Sequence, residues 1–80
     1  MNENELHETI DRMAAAWPSE FIARKKVAEF TGFLLTGKTV ANYESQKKGP
    51  PKVKCGRTSG YPKRPFVEWL KTMLFVASND

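Results

Sequence analysis

The sequence predicts a mainly α fold with a small β-hairpin, and three observations carry that prediction. Apolar residues recur at helical spacing towards both ends of the chain, and Pro18-Ser19 and Gly49-Pro50-Pro51 interrupt it. The stretch that alternates in the manner of a strand, Lys52 to Arg57, is short. Eighty residues make one domain. A chain of that size buries only about 60% of its unfolded surface, so the core must be compact.

Over residues 3–17, Leu6, Ile10, Met13 and Trp17 recur at intervals of four, three and four and share one helix face. Asn2 or Asn4 can cap this helix, the early acids suit its positive end, and Pro18 stops it. Its stripe either packs on the core or forms a dimer contact. Phe21-Ile22-Ala23 reads as a short extended apolar piece. Arg24 to Phe30 reads as a two-turn helix with Val27, Ala28 and Phe30 inward and Lys25, Lys26 and Glu29 outward. Thr31-Gly32 closes it, glycine being free to take the left-handed conformation, and Phe33-Leu34-Leu35 is expected to turn back beneath the core.

Thr36 is a good N-cap for a helix over residues 36–47. Val40 and Tyr43 face inward there, while Lys38, Thr39, Asn42 and Gln46 share the outer face. Two short helices joined by a turn, the second with a polar outer face, form a helix-turn-helix arrangement. Lys52 to Arg57 then alternates, with Val53 and Cys55 on one face and Lys52 and Lys54 on the other; Thr58-Ser59-Gly60 is expected to turn and Tyr61 to begin the return strand. A last helix begins near Pro65 with Phe66, Trp69, Leu70, Met73 and Leu74 as its stripe. The expected division is a helix at 1–18, the main domain at 19–76 and a frayed tail at 77–80, including Ser78-Asn79-Asp80.

Charge is unevenly placed. Residues 1–20 carry five acids and one base, whereas Lys38–Arg64 carries eight bases against Glu44 alone. Such a concentration is the footprint of a polyanion partner, or of a lysine-rich solvated surface. A single Cys55 excludes an internal disulfide, and His7 with Cys55 makes no zinc set. Cys55 reads as a small buried strand residue, remote from the acidic helix that carries His7. With paired carboxylates and a phosphate-binding glycine loop also missing, no catalytic residues, metal or cofactor are expected, and the chain does not read as an enzyme. The acidic start is unlike a secretory leader and no run reaches the length of a membrane span, which points to a soluble cytoplasmic protein.

The order of these pieces resembles the MerR-related winged helix-turn-helix family, as found in AlpA-type phage regulators and excisionases. The resemblance rests on Arg24-Lys25-Lys26-Val27-Ala28-Glu29-Phe30-Thr31-Gly32 and on Lys38-Thr39-Val40-Ala41-Asn42-Tyr43. It continues through Lys48-Gly49-Pro50-Pro51, Cys55-Gly56-Arg57, Tyr61-Pro62 and Val67-Glu68-Trp69-Leu70, so it covers about residues 20–71. The connector Phe33 to Gly37 is longer than the family's tight turn, and the N-terminal helix lies outside the pattern.

The resemblance implies a winged helix-turn-helix that binds specific double-stranded DNA. Its role would be that of a small transcriptional regulator, or of an excision factor working with a site-specific recombinase, as a dimer or a cooperative oligomer. In that arrangement the 36–47 helix enters the major groove with Lys38, Thr39, Asn42 and Gln46 presented to bases or phosphates, and Tyr43 sits at the core edge. The hairpin over 52–61 is the wing, with Lys52 at its base and with Arg57, Ser59 and Gly60 suited at its tip to a narrow groove. Lys54, Lys63 and Arg64 would neutralise phosphates, and Arg24, Lys25 and Lys26 would clamp the flank. The competing reading is a basic adaptor that binds an acidic protein. RNA is a weaker option, because no exposed aromatic pair suggests a stacking platform.

Overall fold

Local capping chemistry sets the first helix, and a sheet of three short strands sets how the rest returns to it. The computed structural model describes residues 1–77; Ser78-Asn79-Asp80, expected to fray, lie outside the described residues. Helix α1 spans Glu3–Ala16. Asn2 Oδ1 accepts from the Glu5 amide at 2.8 Å and Glu5 Oε1 accepts from the Asn2 amide at 3.0 Å, so two otherwise unpaired donors are satisfied reciprocally. Trp17 is extended, as the residue before a proline prefers, and the helix ends there.

Strand β1 (Phe21–Ala23) leads into a 3₁₀ turn (Arg24–Lys26) and then the single α-helical turn α2 (Val27–Phe30). Helix α3 spans Gly37–Ser45, strands β2 and β3 span Val53–Cys55 and Thr58–Pro62, and α4 spans Lys63–Met73. The three strands form an antiparallel sheet in the order β1-β3-β2, with Ile22 opposite Tyr61 and Lys54 opposite Ser59. Mainly α with a small hairpin therefore describes the chain, and four α-helices accompany the sheet among the described residues. No helix among them is long and apolar enough to cross a membrane.

The core takes Ile10 from α1, Ile22 from β1, Val27 and Phe30 from α2, Val40 from α3, Tyr61 from β3, and Phe66, Val67 and Leu70 from α4. Leu6, Met13 and Trp17 pack against it from the rest of the α1 stripe, and α1 lies along α4. An aromatic chain crosses this core, from Trp17 to Phe30 at 5.3 Å, Phe30 to Phe66 at 5.9 Å, and Phe66 to Trp69 at 5.5 Å. Tyr43 closes it, edge-on to Trp69 at 5.8 Å. Each such contact adds about 0.5–1.5 kcal/mol beyond the area it buries. The chain thereby ties the end of α1 to the middle of α3.

Several details differ from the sequence reading. Phe21-Ile22-Ala23 is extended as expected, and it is in addition a sheet strand, because β3 offers it a partner that lies far along the chain. The connector does not turn beneath the core: Phe33 and Leu34 are 77% and 71% exposed, and Leu35 alone of the three is half-buried. The buried Thr31 hydroxyl bonds to Val27 O at 3.0 Å and accepts from the Leu35 amide at 3.1 Å. That pinches residues 32–34 outward, with both Gly32 and Phe33 at positive φ. Ala28 is half-buried where an inward position was expected. The outer helix is shorter than 36–47, because Lys47 adopts φ 60° and ends it.

The hairpin also turns earlier than expected. Cys55 pairs with Thr58, so the loop is Gly56-Arg57, and Thr58-Ser59-Gly60 belongs to the return strand. Gly56 has φ 61° at the first loop position, the demand of a type II′ turn. Val53 and Cys55 do share a face, but that face is exposed and Cys55 is not buried. Helices cover one side of the sheet only, so the opposite side remains in solvent. Helix α4 begins at Lys63, two residues before Pro65.

Candidate nucleic-acid interface

Three elements that are distant in sequence converge on one groove. The 3₁₀ turn supplies Arg24 and Lys25, the first turn of α3 supplies Lys38, and the hairpin loop supplies Arg57. The groove encloses about 470 Å³, and Thr36 and Ser59 also line it. No carboxylate among the described residues does so. Four cations over one concave surface produce a positive potential that a lone surface lysine does not.

The convergence depends on a close approach. A Cβ at Gly37 would lie 2.4 Å from the Arg24 carbonyl oxygen, so only glycine lets α3 start against the 3₁₀ turn. Thr36 caps the helix by accepting from the Thr39 amide at 3.2 Å, and its hydroxyl lies 3.1 Å from that of Thr39. The N–H groups of Gly37 and Lys38, the first two of α3, have no intrahelical acceptor, so their partial positive charge remains at the groove.

Beside the groove stands a polar hub centred on Glu44, a residue that the sequence reading gave no role. Arg24 Nη2 donates to Glu44 Oε1 at 2.6 Å, Lys52 Nζ donates to the same oxygen at 2.8 Å, and the Tyr61 hydroxyl donates to Oε2 at 2.5 Å. Arg24 Nε also donates to the Tyr61 hydroxyl at 3.1 Å. Burial pushes the Glu44 carboxyl up, but the hydrogen bonds from Lys52, Tyr61 and Arg24 outweigh it and hold the group below its ordinary range. Burial and the Glu44 carboxylate push the Tyr61 hydroxyl up. Arg24 and Lys52, both expected to face DNA, are thus held by an internal acid, with Arg24 still at the groove wall. A lone acid within a run of eight bases was the available signal.

The other expected site residues divide. Asn42 and Lys38 are exposed on α3, and Gln46 is exposed at its C-cap, just beyond the helix. Thr39 is half-buried at the cap, and Tyr43 is half-buried against Trp69. Lys54 is exposed and lies across from Ser59, so both belong to the sheet face that carries Tyr61. Ser59 is not at the wing tip: it is only 6% exposed, on the groove floor. Lys26 pairs with Glu29 at 3.1 Å on the surface.

Lys63 and Arg64 do not join this groove. Lys63 Nζ donates to the Ala14 and Trp17 carbonyls at 3.0 Å each, closing the C-terminal end of α1. Both residues line a separate groove between α1 and α4, where Asp11, Glu20 and Glu68 balance them and Lys71. Comparison with family models, with curated proteins and with solved structures finds no match for this chain.

Proposed function

We propose that this chain is a winged helix-turn-helix domain that binds double-stranded DNA, acting as a small regulator or excision factor. One observation carries the reading. Arg24, Lys25, Lys38 and Arg57 come from a helix start, a second helix start and a hairpin loop, yet line one groove free of carboxylates among the described residues. In this reading α3 lies in the major groove and the β2–β3 hairpin is the wing. Asn42 on α3 and Gln46 at its C-cap are the exposed side chains suited to adenine, and Lys38 is suited to guanine or a phosphate. Arg57, at the hairpin loop, reaches the backbone or the minor groove.

The α2–α3 pair supports this geometry in a particular way. Both helices end in the same backbone motif: Phe33 N donates to Ala28 O at 2.7 Å, and Lys48 N donates to Tyr43 O at 2.9 Å. Each turn is therefore fixed by main-chain bonds, which leaves the outward side chains of α3 for a ligand. The Glu44 hub then holds Arg24 and Lys52 in place beside the groove before any ligand arrives.

The test is a titration of the full chain with random duplex and with the duplex flanking its own gene, across a salt series. Steep salt dependence, with tighter binding to one duplex, is the expected result. Asn42→Ala should relax sequence preference, and Lys38→Ala should weaken binding; if Lys38 contacts a phosphate, its loss lowers the salt slope by about one. No binding to either duplex at low salt overturns the reading in favour of an acidic protein partner.

A further inference from the structure

Ser59 is a buried polar side chain that the fold does not use. It lies 94% out of solvent on the same sheet face as Tyr61; none of the side-chain hydrogen bonds among the described residues uses its hydroxyl, and that oxygen keeps contact with solvent at the groove. Yet it is not sealed in the core, because it forms part of the groove that Lys25, Lys38 and Arg57 also line. A hydroxyl can donate and accept, and one that the fold does not engage and that opens onto a groove is free to bond a ligand seated there. Gly37 and Lys38, on the same groove, also have amides that lack intrahelical acceptors.

We propose that this recess is the seat of one phosphodiester group of the DNA backbone, with the Ser59 hydroxyl as the donor that fixes its position. The inference rests on the DNA-binding reading and specifies it. A narrow tetrahedral group can reach a recessed hydroxyl behind a rim of long cations, whereas the broad edge of a base cannot. Its two non-bridging oxygens can take the Ser59 hydroxyl and an α3 amide together, while Lys25, Lys38 and Arg57 balance its charge. Seated there, the phosphate touches both the wing and the leading turn of α3. It therefore sets the register in which Asn42 and Gln46 meet the bases.

Ser59→Ala removes the donor but no charge, which separates it from the cations. In anisotropy titrations of the full chain against a 20-base-pair duplex, it should weaken binding about tenfold or more at every salt concentration. Its salt slope should equal that of the wild type, whereas Arg57→Ala should lower the slope by about one. Ser59→Cys, close in volume and a weak donor, should reproduce the loss with an unchanged melting temperature. Titration of the wild-type chain with inorganic phosphate, followed by amide resonances, should shift Gly37, Lys38 and Ser59 together.

If the wild type binds duplex while Ser59→Ala binds within twofold of it, the seat is wrong and the DNA reading stands. Failure of those three amides to respond to phosphate overturns the seat even if the variants do not fold. A wild-type chain that ignores duplex and binds polyglutamate overturns both.

Discussion

Replacing Glu44 by glutamine should destabilise the chain by about 1.5–3 kcal/mol at neutral pH, because this one carboxylate organises three donors. Its side chain is 13% exposed, and Arg24, Lys52 and Tyr61 all donate to it. Glutamine keeps the shape and leaves one acceptor oxygen for Arg24 and Lys52, but its amide meets the Tyr61 hydroxyl as a donor. Hydrogen bonds to a charged acceptor contribute about 1.5–3 kcal/mol, roughly twice their neutral counterparts. The Lys52 pair adds little, about 0.5 kcal/mol, since that side chain is 40% exposed. Arg24 and Tyr61 therefore decide the loss, and the one-third exposure of Arg24 favours the lower half of the range. For a chain of this size the melting temperature should fall by about 6–24 °C.

The pH dependence supplies the control. A carboxyl held below its ordinary range stabilises the fold above the unfolded-state value, about 4.3, and that contribution is lost as pH falls through the folded value. Melts followed by circular dichroism from pH 7 downward should show the wild type and Glu44→Gln far apart at neutral pH and converging progressively once the pH is below about 4.3. A difference under about 0.5 kcal/mol at pH 7, or one that does not narrow as the pH falls, would refute the hub as described.

Three further outcomes follow from the geometry. Lys47→Gly should stabilise the chain by about 0.5–1 kcal/mol, because a non-glycine residue there holds φ 60°; urea unfolding measures it. Gly37→Ala should cost more than about 1 kcal/mol and also weaken duplex binding, since its Cβ meets the Arg24 carbonyl at 2.4 Å; an unchanged midpoint would mean that α3 can shift freely. Lys63→Met should lower stability by about 1 kcal/mol through the lost bonds to α1 and leave the salt slope of duplex binding unchanged. Arg57→Ala should do the reverse, and a slope change for Lys63→Met would return Lys63 to the interface.

Local chemistry made much of this chain legible in advance. The Leu6-Ile10-Met13-Trp17 stripe, the Asn2 and Thr36 caps, the Pro18 stop and the outward placement of Asn42 all depend on residues within a turn or two of one another. The alternation that puts Val53 and Cys55 on one face is equally local, and it holds. What the pattern could not supply is which sheet face the helices cover, and the one that carries Val53 and Cys55 is left exposed.

The site depended more heavily on tertiary structure. Lys63 and Arg57 look alike as basic residues near one hairpin, but one closes α1 and the other lines the groove. Their fates were decided by contacts with segments 46 to 49 residues away for Lys63 and across the groove for Arg57. Glu44 joins Arg24, 20 residues before it, to Tyr61, 17 residues after it. Ser59 pairs with Lys54 of β2 and is recessed beside the 3₁₀ turn and the start of α3, segments that come well before it in the chain. The sequence by itself determined the helices, their caps and the charge available. Only packing decided which charges the fold would consume and which it would leave lining a groove, since ion pairs and recesses form between segments that the chain brings together last.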